Sequence, residues 1–365
     1  MSGPIGGPDA VSIAGSQEED TVMVSPLVAL GVSTPILAAP MAGGPTTPEL
    51  VIAAAGAGGL GFIAGGYKTA DSLGEQIARV RSAGVGFGVN VFVPNPVPVD
   101  PGAFRAFARA IAPVARAYGV DTTEAGIVED DDHWADKIDL LLSAPVPVVS
   151  FTFGIPEPAV VAAFRAAGTL VVQTVTSPVE ARAAARAGVD VLAVQASAAG
   201  GHSGTLTPQR TPPAVPLPDL LEAVRKVVSM PLIAAGGIAA PDAVTEALRA
   251  GAVAAMVGTV LLSADEAGTS SPYRAVLADP ARRRTVVTRA FTGRPARALR
   301  NDFTDRFGDL APDGYPALHH LTSPMRRAAA AANDPERINL WAGTGFRHAT
   351  AEPTARILQR LASRA

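Results

Sequence analysis

Four times along this chain an Arg- and Ala-rich segment runs into a glycine and then into a short apolar run: RSAGVGFGVNV (81–91), RAAGTLVVQTV (165–175), RAGVDVLAVQA (186–196) and RAGAVAAMVGT (249–259). A glycine in that place takes the left-handed conformation that ends a helix without steric cost, and the apolar run after it reads as a buried strand. Repetition of the unit predicts alternating helices and parallel strands. Eight strand-like runs can be drawn, over residues 36–40, 60–64, 86–92, 146–151, 170–175, 191–195, 232–235 and 254–257. Most are continuously apolar rather than alternating, as expected where both faces of a sheet are covered. An open doubly wound sheet predicts similar runs. Eight of them, with glycine turns after the seventh and eighth, favour the α/β class in its closed form, a (β/α)8 TIM barrel.

Near residue 263 the alternation stops. Helical patterns over 272–279 and 316–332 flank a β-like run at 285–291, so 263–348 reads as an α-rich extension lying over the C-terminal face of a barrel built from 26–262. The last segment, 349–365, is expected to form a helix that returns to the barrel wall. Residues 1–25 lack a basic start and a continuous apolar core, and read as a flexible acidic leader rather than a signal peptide. The apolar stretch 23–42 is interrupted by Ser25, Pro26, Gly31, Ser33, Pro35 and Pro40, which argues against a membrane span.

Composition narrows the chemistry. With 48% hydrophobic and 17% charged residues in 365, most of the chain has the material for a folded core. A formal net charge of −3 gives no general pull toward nucleic acid or an anionic membrane, and the run Arg282 to Arg284 reads as a solvated helix end. There is no cysteine, so disulfides, thiolate nucleophiles, iron–sulfur ligation and cysteine zinc sites are excluded. Any redox chemistry must come from a bound cofactor. A cytoplasmic enzyme without a metal is expected.

In such barrels the active residues lie at the C-terminal ends of the strands, and the loops after strands seven and eight commonly hold a phosphate on backbone N–H groups. Gly236 and Gly237 end the seventh strand; Met256, Val257, Gly258 and Thr259 end the eighth. Three further strand ends suit a flat, hydrogen-bonding ring: Met41 and Ala42 after strand one, Asn90 within strand three and Gln195 at the end of strand six. Of five histidines, only His202 lies in a glycine-rich loop directly after a barrel strand, among Gly200, Gly201 and Gly204. An imidazole titrates near neutrality and can take a proton from a carbon acid if its loop lets it meet the substrate. His133, His319, His320 and His348 read as surface or helix-end residues, and no histidine spacing suggests a metal. The group Arg294, Arg297, Arg300 and Asn301 reads as holding the extension to the barrel more than as lining its mouth.

PILAAPMAGG (35–44), FGVNVF (87–92), VVSFTFGIP (148–156), AGGHSG (199–204), AAGGI (234–238), MVGT (256–259) and GRPARALRNDF (293–303) together resemble the nitronate monooxygenase family. The resemblance implies non-covalent FMN in a barrel topped by an α-rich domain. Asn90, Gln195, Gly200, Gly237 and Met256 to Thr259 would be at the FMN, Met41 beside its ring and His202 the base. It also implies oxidation of alkyl nitronates by O2, some members accepting neutral nitroalkanes, with no need for NADH or NADPH. Ala198, Ser203 and Thr344 depart from the Glu, Arg and Gln usual in the family, which bears on the substrate more than on the cofactor. Two other readings fit these residues: an NAD(P)H-dependent flavin reductase acting on quinones or an enoyl thioester, and a flavin- or phosphate-binding module without activity.

Overall fold

The computed structural model describes residues 26–365 together with Met1 and Gly3, so nearly all of the leader read over 1–25 lies outside the described residues. Parallel strands β1 (Ile36–Ala38), β2 (Leu60–Ala64), β3 (Phe87–Phe92), β4 (Val148–Thr152), β5 (Leu170–Val175) and β6 (Val191–Gln195) are followed by a two-residue strand β7 (Gly201–His202) that belongs to another sheet, then by β8 (Leu232–Ala235) and β9 (Ala254–Val257). The order β1-β2-β3-β4-β5-β6-β8-β9 closes on itself, Leu37 standing opposite Leu60 on one side and Met256 on the other. Each strand-like run of the sequence becomes one of these staves. The fold is a TIM barrel.

Helices α1 (Pro48–Gly56), α2 (Ala70–Ser82), α3 (Pro101–Arg116), α4 (Trp134–Ser143), α5 (Pro158–Ala166), α6 (Pro178–Ala187), α7 (Leu217–Arg225) and α8 (Pro241–Arg249) follow in chain order. All but α3 belong to the outer ring. Thr47, Thr69 and Ser177 start their helices by accepting a backbone N–H in the side chain. At the other ends, Gly84, Gly168, Gly188 and Gly251 have φ of +67°, +79°, +86° and +94°. The glycine of the recurring motif thus sits in the left-handed conformation each time. After β9 come α9 (Ser271–Ala278), β10 (Thr285–Thr288), β11 (Ala296–Leu299), α10 (Asp302–Phe307), α11 (Ala317–Ala331) and α12 (Thr354–Ala362). Ile357, Leu358 and Leu361 of α12 join the core between barrel and helices, where α12 packs against α1 and α8.

The period of two along each strand divides the barrel into layers. Leu37, Leu60, Phe62, Val148, Val172, Val191, Ala193, Ile233 and Ala254 form an inner cluster with Leu27 and Val32 of the entering chain. Their outward neighbours, such as Val89, Val149, Val171, Leu192 and Ala255, pack against the helices. One inward position further along are Asn90, Thr152, Thr174, Gln195, Ala235 and Met256, and these line a cavity instead of filling a core. The apolar layer is the floor on which the site stands.

A second core joins α3 to the extension: Phe104, Phe107 and Ile111 pack with Phe291, Phe303, Leu318 and Met325. The upper layer is therefore made from two separated pieces of chain, the segment between β3 and α4 and the segment after β9. No helix among the described residues is long and apolar enough to cross a membrane.

Floor packing at Gly88 makes a testable point, because a Cβ built there would lie 2.3 Å from the Phe62 ring. Gly88→Ala is expected to lower stability by about 1–3 kcal/mol through overpacking, and Phe62→Leu in the same chain to recover part of the loss. Urea denaturation of the two single variants and the double variant measures this coupling; additive losses would contradict it.

Candidate active site

Between the strand ends and the extension lies a cavity of about 540 Å³. Met41, Ala42, Asn90, Gln195, Gly200, Gly201, His202, Gly236, Gly237, Met256, Val257, Gly258 and Thr259 all line it. The sequence marked these residues one loop at a time, and closure of the barrel brings them to one space.

The glycine loops are shaped by close backbone approach. A Cβ on Gly236 (φ +103°) would lie 2.7 Å from the Ala196 carbonyl oxygen, and one on Gly200 would lie 2.4 Å from the Gly343 nitrogen. Segment 341–345 of the extension therefore docks directly on the loop after β6. Thr344 N donates to Ala198 O at 3.0 Å and Gly343 N to Thr259 Oγ1 at 2.9 Å, which leaves the Thr259 hydroxyl hydrogen free to donate. The N–H groups of Gly200, Gly236, Gly237 and Gly258 have no acceptor among the described residues. Orphan donors around one polar space are the usual form of an anion cradle.

Asn90 is buried, and its Nδ2 donates to Ser150 O (3.2 Å), Ser150 Oγ (2.9 Å) and Thr152 Oγ1 (3.0 Å). Because a carbonyl can only accept, Nδ2 must face Ser150 and Oδ1 is left as an acceptor. Gln195 is more committed: its Oε1 accepts from Gly204 N at 2.7 Å and its Nε2 donates to His202 O at 3.3 Å. It ties the histidine loop to the end of β6.

The loop carrying His202 is not mobile in the way a permissive catalytic loop would be. Gly201 and His202 pair antiparallel with Arg297 and Ala296 as the edge of a β10-β11-β7 sheet. Arg294 Nε donates to Ser203 O at 3.3 Å, its Nη2 to Thr205 O, and Arg297 Nε to Ser197 O at 2.7 Å. Asn301 donates to Pro335 O and Ile338 O, and Arg300 to Asp305. Arg294 and Arg297 thus hold the extension to the barrel loop, while Arg300 and Asn301 bond within the extension.

The His202 ring sits among Phe153 (5.6 Å between centroids), Tyr315 (5.8 Å) and Trp341 (5.2 Å), with Nε2 2.9 Å from Thr292 Oγ1. Thr292 Oγ1 also lies 3.4 Å from Arg294 O, and which group donates across the His202–Thr292 contact follows the imidazole tautomer. Burial first, then the charges of Arg294 and Arg326, lower its pKa to about 3. The ring is neutral at physiological pH.

His319 corrects the sequence reading. It lines the cavity rather than the surface, stacked on Tyr67 at 4.2 Å between centroids and 3° between planes, and burial followed by Arg326 lowers its pKa to about 2. The sequence also gave no weight to Tyr67, Phe153, Thr292 and Arg326, which line the same space. Tyr67 and Phe153 have φ of +65° and +82°, a conformation costly for side chains with a Cβ. Tyr67 is held there by its N–H on Asp132 Oδ1 at 2.9 Å, and Asp132 is paired with the fully buried Lys137 at 2.7 Å. Position after a strand was the available signal for Tyr67 and Phe153. For Arg326 it was the polar spacing His319, Ser323, Arg326 on one side of α11.

Strand ends, glycine loops with unpartnered N–H groups and a half-buried imidazole thus meet in one cavity of a TIM barrel. The family model for nitronate monooxygenase matches residues 25–363. A probable nitronate monooxygenase of Staphylococcus aureus (strain Newman) is 36% identical over 338 residues, covering 91% of this chain and 94% of that protein. The solved nitroalkane oxidase from Streptomyces ansochromogenes has a TM-score of 0.86 at 45% identity over 92% of this chain and 96% of its own. FabK from Thermotoga maritima has a TM-score of 0.71 at 27% identity over 93% and 94%. This chain belongs to the nitronate monooxygenase family, and it is a flavin-dependent oxidoreductase.

Two outcomes test the geometry. Gly200→Ala is expected to push segment 341–345 off the loop and weaken flavin binding by about tenfold or more, read by fluorescence titration of the flavin-free protein. Unchanged affinity would remove the docking argument. For His202 and His319 the folded pKa lies below the unfolded value of 6.5, so the unfolded chain binds more protons as pH falls. Stability of the flavin-free protein should therefore drop from pH 6.5 downward, and less steeply in His319→Gln, as measured by thermal unfolding against pH.

Proposed function

We propose that the cavity binds FMN and oxidises alkyl nitronates with O2. The observation that carries this reading is the pairing, in one cavity, of unpartnered glycine N–H groups with a neutral histidine under positive potential. The residues suit the cofactor. Gly200, Gly236, Gly237 and Gly258 offer N–H donors and Thr259 a hydroxyl to the phosphate, with no side chain in the way. Asn90 Oδ1 accepts from an N–H of the ring edge, and Met41 gives the ring a polarizable neighbour. Met256, Val257, Ala42 and Gly201 complete the wall, and Gln195 acts mainly through the histidine loop. When bound, FMN would supply the electron acceptor that links the nitronate to O2.

The protein's own work is to bind, orient and hold charge. The aromatic box and the β7 pairing fix the His202 ring, whose neutral form keeps one lone-pair nitrogen. Positive potential from Arg294 and Arg326 disfavours imidazolium and favours an anion beside it. A nitronate, already without its proton, meets both conditions. A neutral nitroalkane must first give a C–H proton to His202, which has little affinity for it in the empty cavity, so nitronates are the preferred substrates. The likeness to the nitroalkane oxidase supports the same substrate class.

His202→Asn should reduce turnover of neutral nitroethane by about 100-fold or more while leaving ethyl nitronate largely usable. Equal loss with both would end the proton-abstraction assignment. Anaerobic mixing of the holoenzyme with ethyl nitronate, NADH and NADPH in turn tests the reaction itself. Flavin bleaching by nitronate alone, with reoxidation by O2, is expected; bleaching by a nicotinamide would establish the reductase instead, and no bleaching by any of them would point to the inactive module.

A further inference from the structure

Arg326 lines the cavity from α11, and its hydrogen bonds are all to neutral acceptors. Nε donates to Thr322 Oγ1 at 3.1 Å, Nη1 to Asn339 Oδ1 at 2.9 Å, and Nη2 to Ser323 Oγ at 2.7 Å, His319 Nδ1 at 3.2 Å and His319 O at 3.2 Å. No carboxylate among the described residues forms an ion pair with it. A guanidinium kept from bulk water by dipoles alone lacks the counter-charge that normally offsets its desolvation. Nη1 spends one of its two N–H groups on Asn339, so one donor is left over. Arg294, the other cation felt by His202, differs: it is fully buried, lies 4.0 Å over the Phe153 ring and is not part of the cavity wall. Two cations line the cavity from α11, the half-buried Arg326 and the exposed Arg327, and it is Arg326 whose charge reaches His202.

The surroundings keep that single positive charge in place. Nδ1 of His319 accepts from the guanidinium, so a second proton on the ring would set two cations against each other. Burial lowers the pKa of Arg326 to about 10, which leaves it charged at neutral pH. The Tyr67 ring covers His319, and its hydroxyl faces that of Tyr315.

We propose that Arg326 is the specificity-determining anion contact of the substrate subsite and receives the oxygens of a small planar monoanion, the C=NO2⁻ end of a nitronate, on the His202 side of the cavity. This rests on the function proposed above. It explains selection of the anionic form by a charge rather than by shape. Where a neutral nitroalkane binds instead, the C–H bond breaks, its proton goes to His202, and the electron pair moves onto the nitro oxygens facing Arg326. Charge then appears beside the guanidinium.

Nitrate, a planar monoanion that cannot be oxidised, is the probe. Titrated into the air-oxidised holoenzyme, it should perturb the flavin absorbance and compete with ethyl nitronate. Arg326→Gln should weaken nitrate binding at least tenfold and raise KM for ethyl nitronate in parallel, with kcat changed less, while Arg326→Lys recovers most of the affinity. Flavin content and thermal unfolding of both variants check folding; if the glutamine variant does not hold flavin, the lysine variant's nitrate affinity relative to that of Ser323→Ala decides, lysine being the weaker if the guanidinium is the contact. Equal nitrate affinity in the native protein and Arg326→Gln would overturn the proposal even if nitronate is turned over. Arginine-dependent nitrate binding without nitronate turnover would uphold the anion subsite and overturn the proposed reaction.

Discussion

The two-residue pairing of Gly201 and His202 with Arg297 and Ala296 joins a loop of the barrel to a sheet of the extension. Without it, the imidazole would sit on a glycine-rich loop with many conformations to lose. With it, the loop is an edge strand, closed on its far side by Arg294 and Arg297 and tied to β6 by Gln195. The neighbouring approach of Gly200 to Ala342 and Gly343 extends the same seam to the glycine loops. One short seam therefore fixes the imidazole, part of the glycine loops and the roof of the cavity together. Side chains at these glycines would separate the layers.

Electrostatics follow from that closure. No carboxylate among the described residues forms an ion pair with Arg294 or Arg326, Glu180 acting on Arg294 only at longer range, and both stand close enough to His202 to lower its proton affinity. Cations held by carbonyls, hydroxyls, amides and aromatic faces keep their outward field, where an ion pair would cancel it. The site is thus poised for negative charge both at the cradle, through backbone N–H groups, and at the histidine side, through arginine. A neutral imidazole beside an unneutralised cation favours an anionic ligand over a neutral one.

Much of this was legible in the sequence. Strands buried on both faces announce themselves as apolar runs, and the motif glycines announced the helix ends because only glycine takes φ near +80° freely. The glycine loops and His202 were legible as neighbours because a barrel brings its strand ends to one face, and they line one cavity there. By contrast, Ala296 to Leu299 and Gly201 to His202 are too short, and too dependent on each other, to read as strands before they are paired. His319 read as a helix-end residue because amphipathic spacing on α11 does not say whether its polar side meets water or a cavity.

Local sequence, then, determined which segments form staves and helices, where they stop, and which loop glycines leave N–H groups unpartnered, since these depend on periodicity and backbone sterics along a few residues. Tertiary structure decided what meets the cavity. Tyr67, Phe153, His202, Thr292 and Arg326 come from five separate stretches of chain, and their burial and the uncancelled charge depend on contacts that exist only once the extension is seated on the barrel.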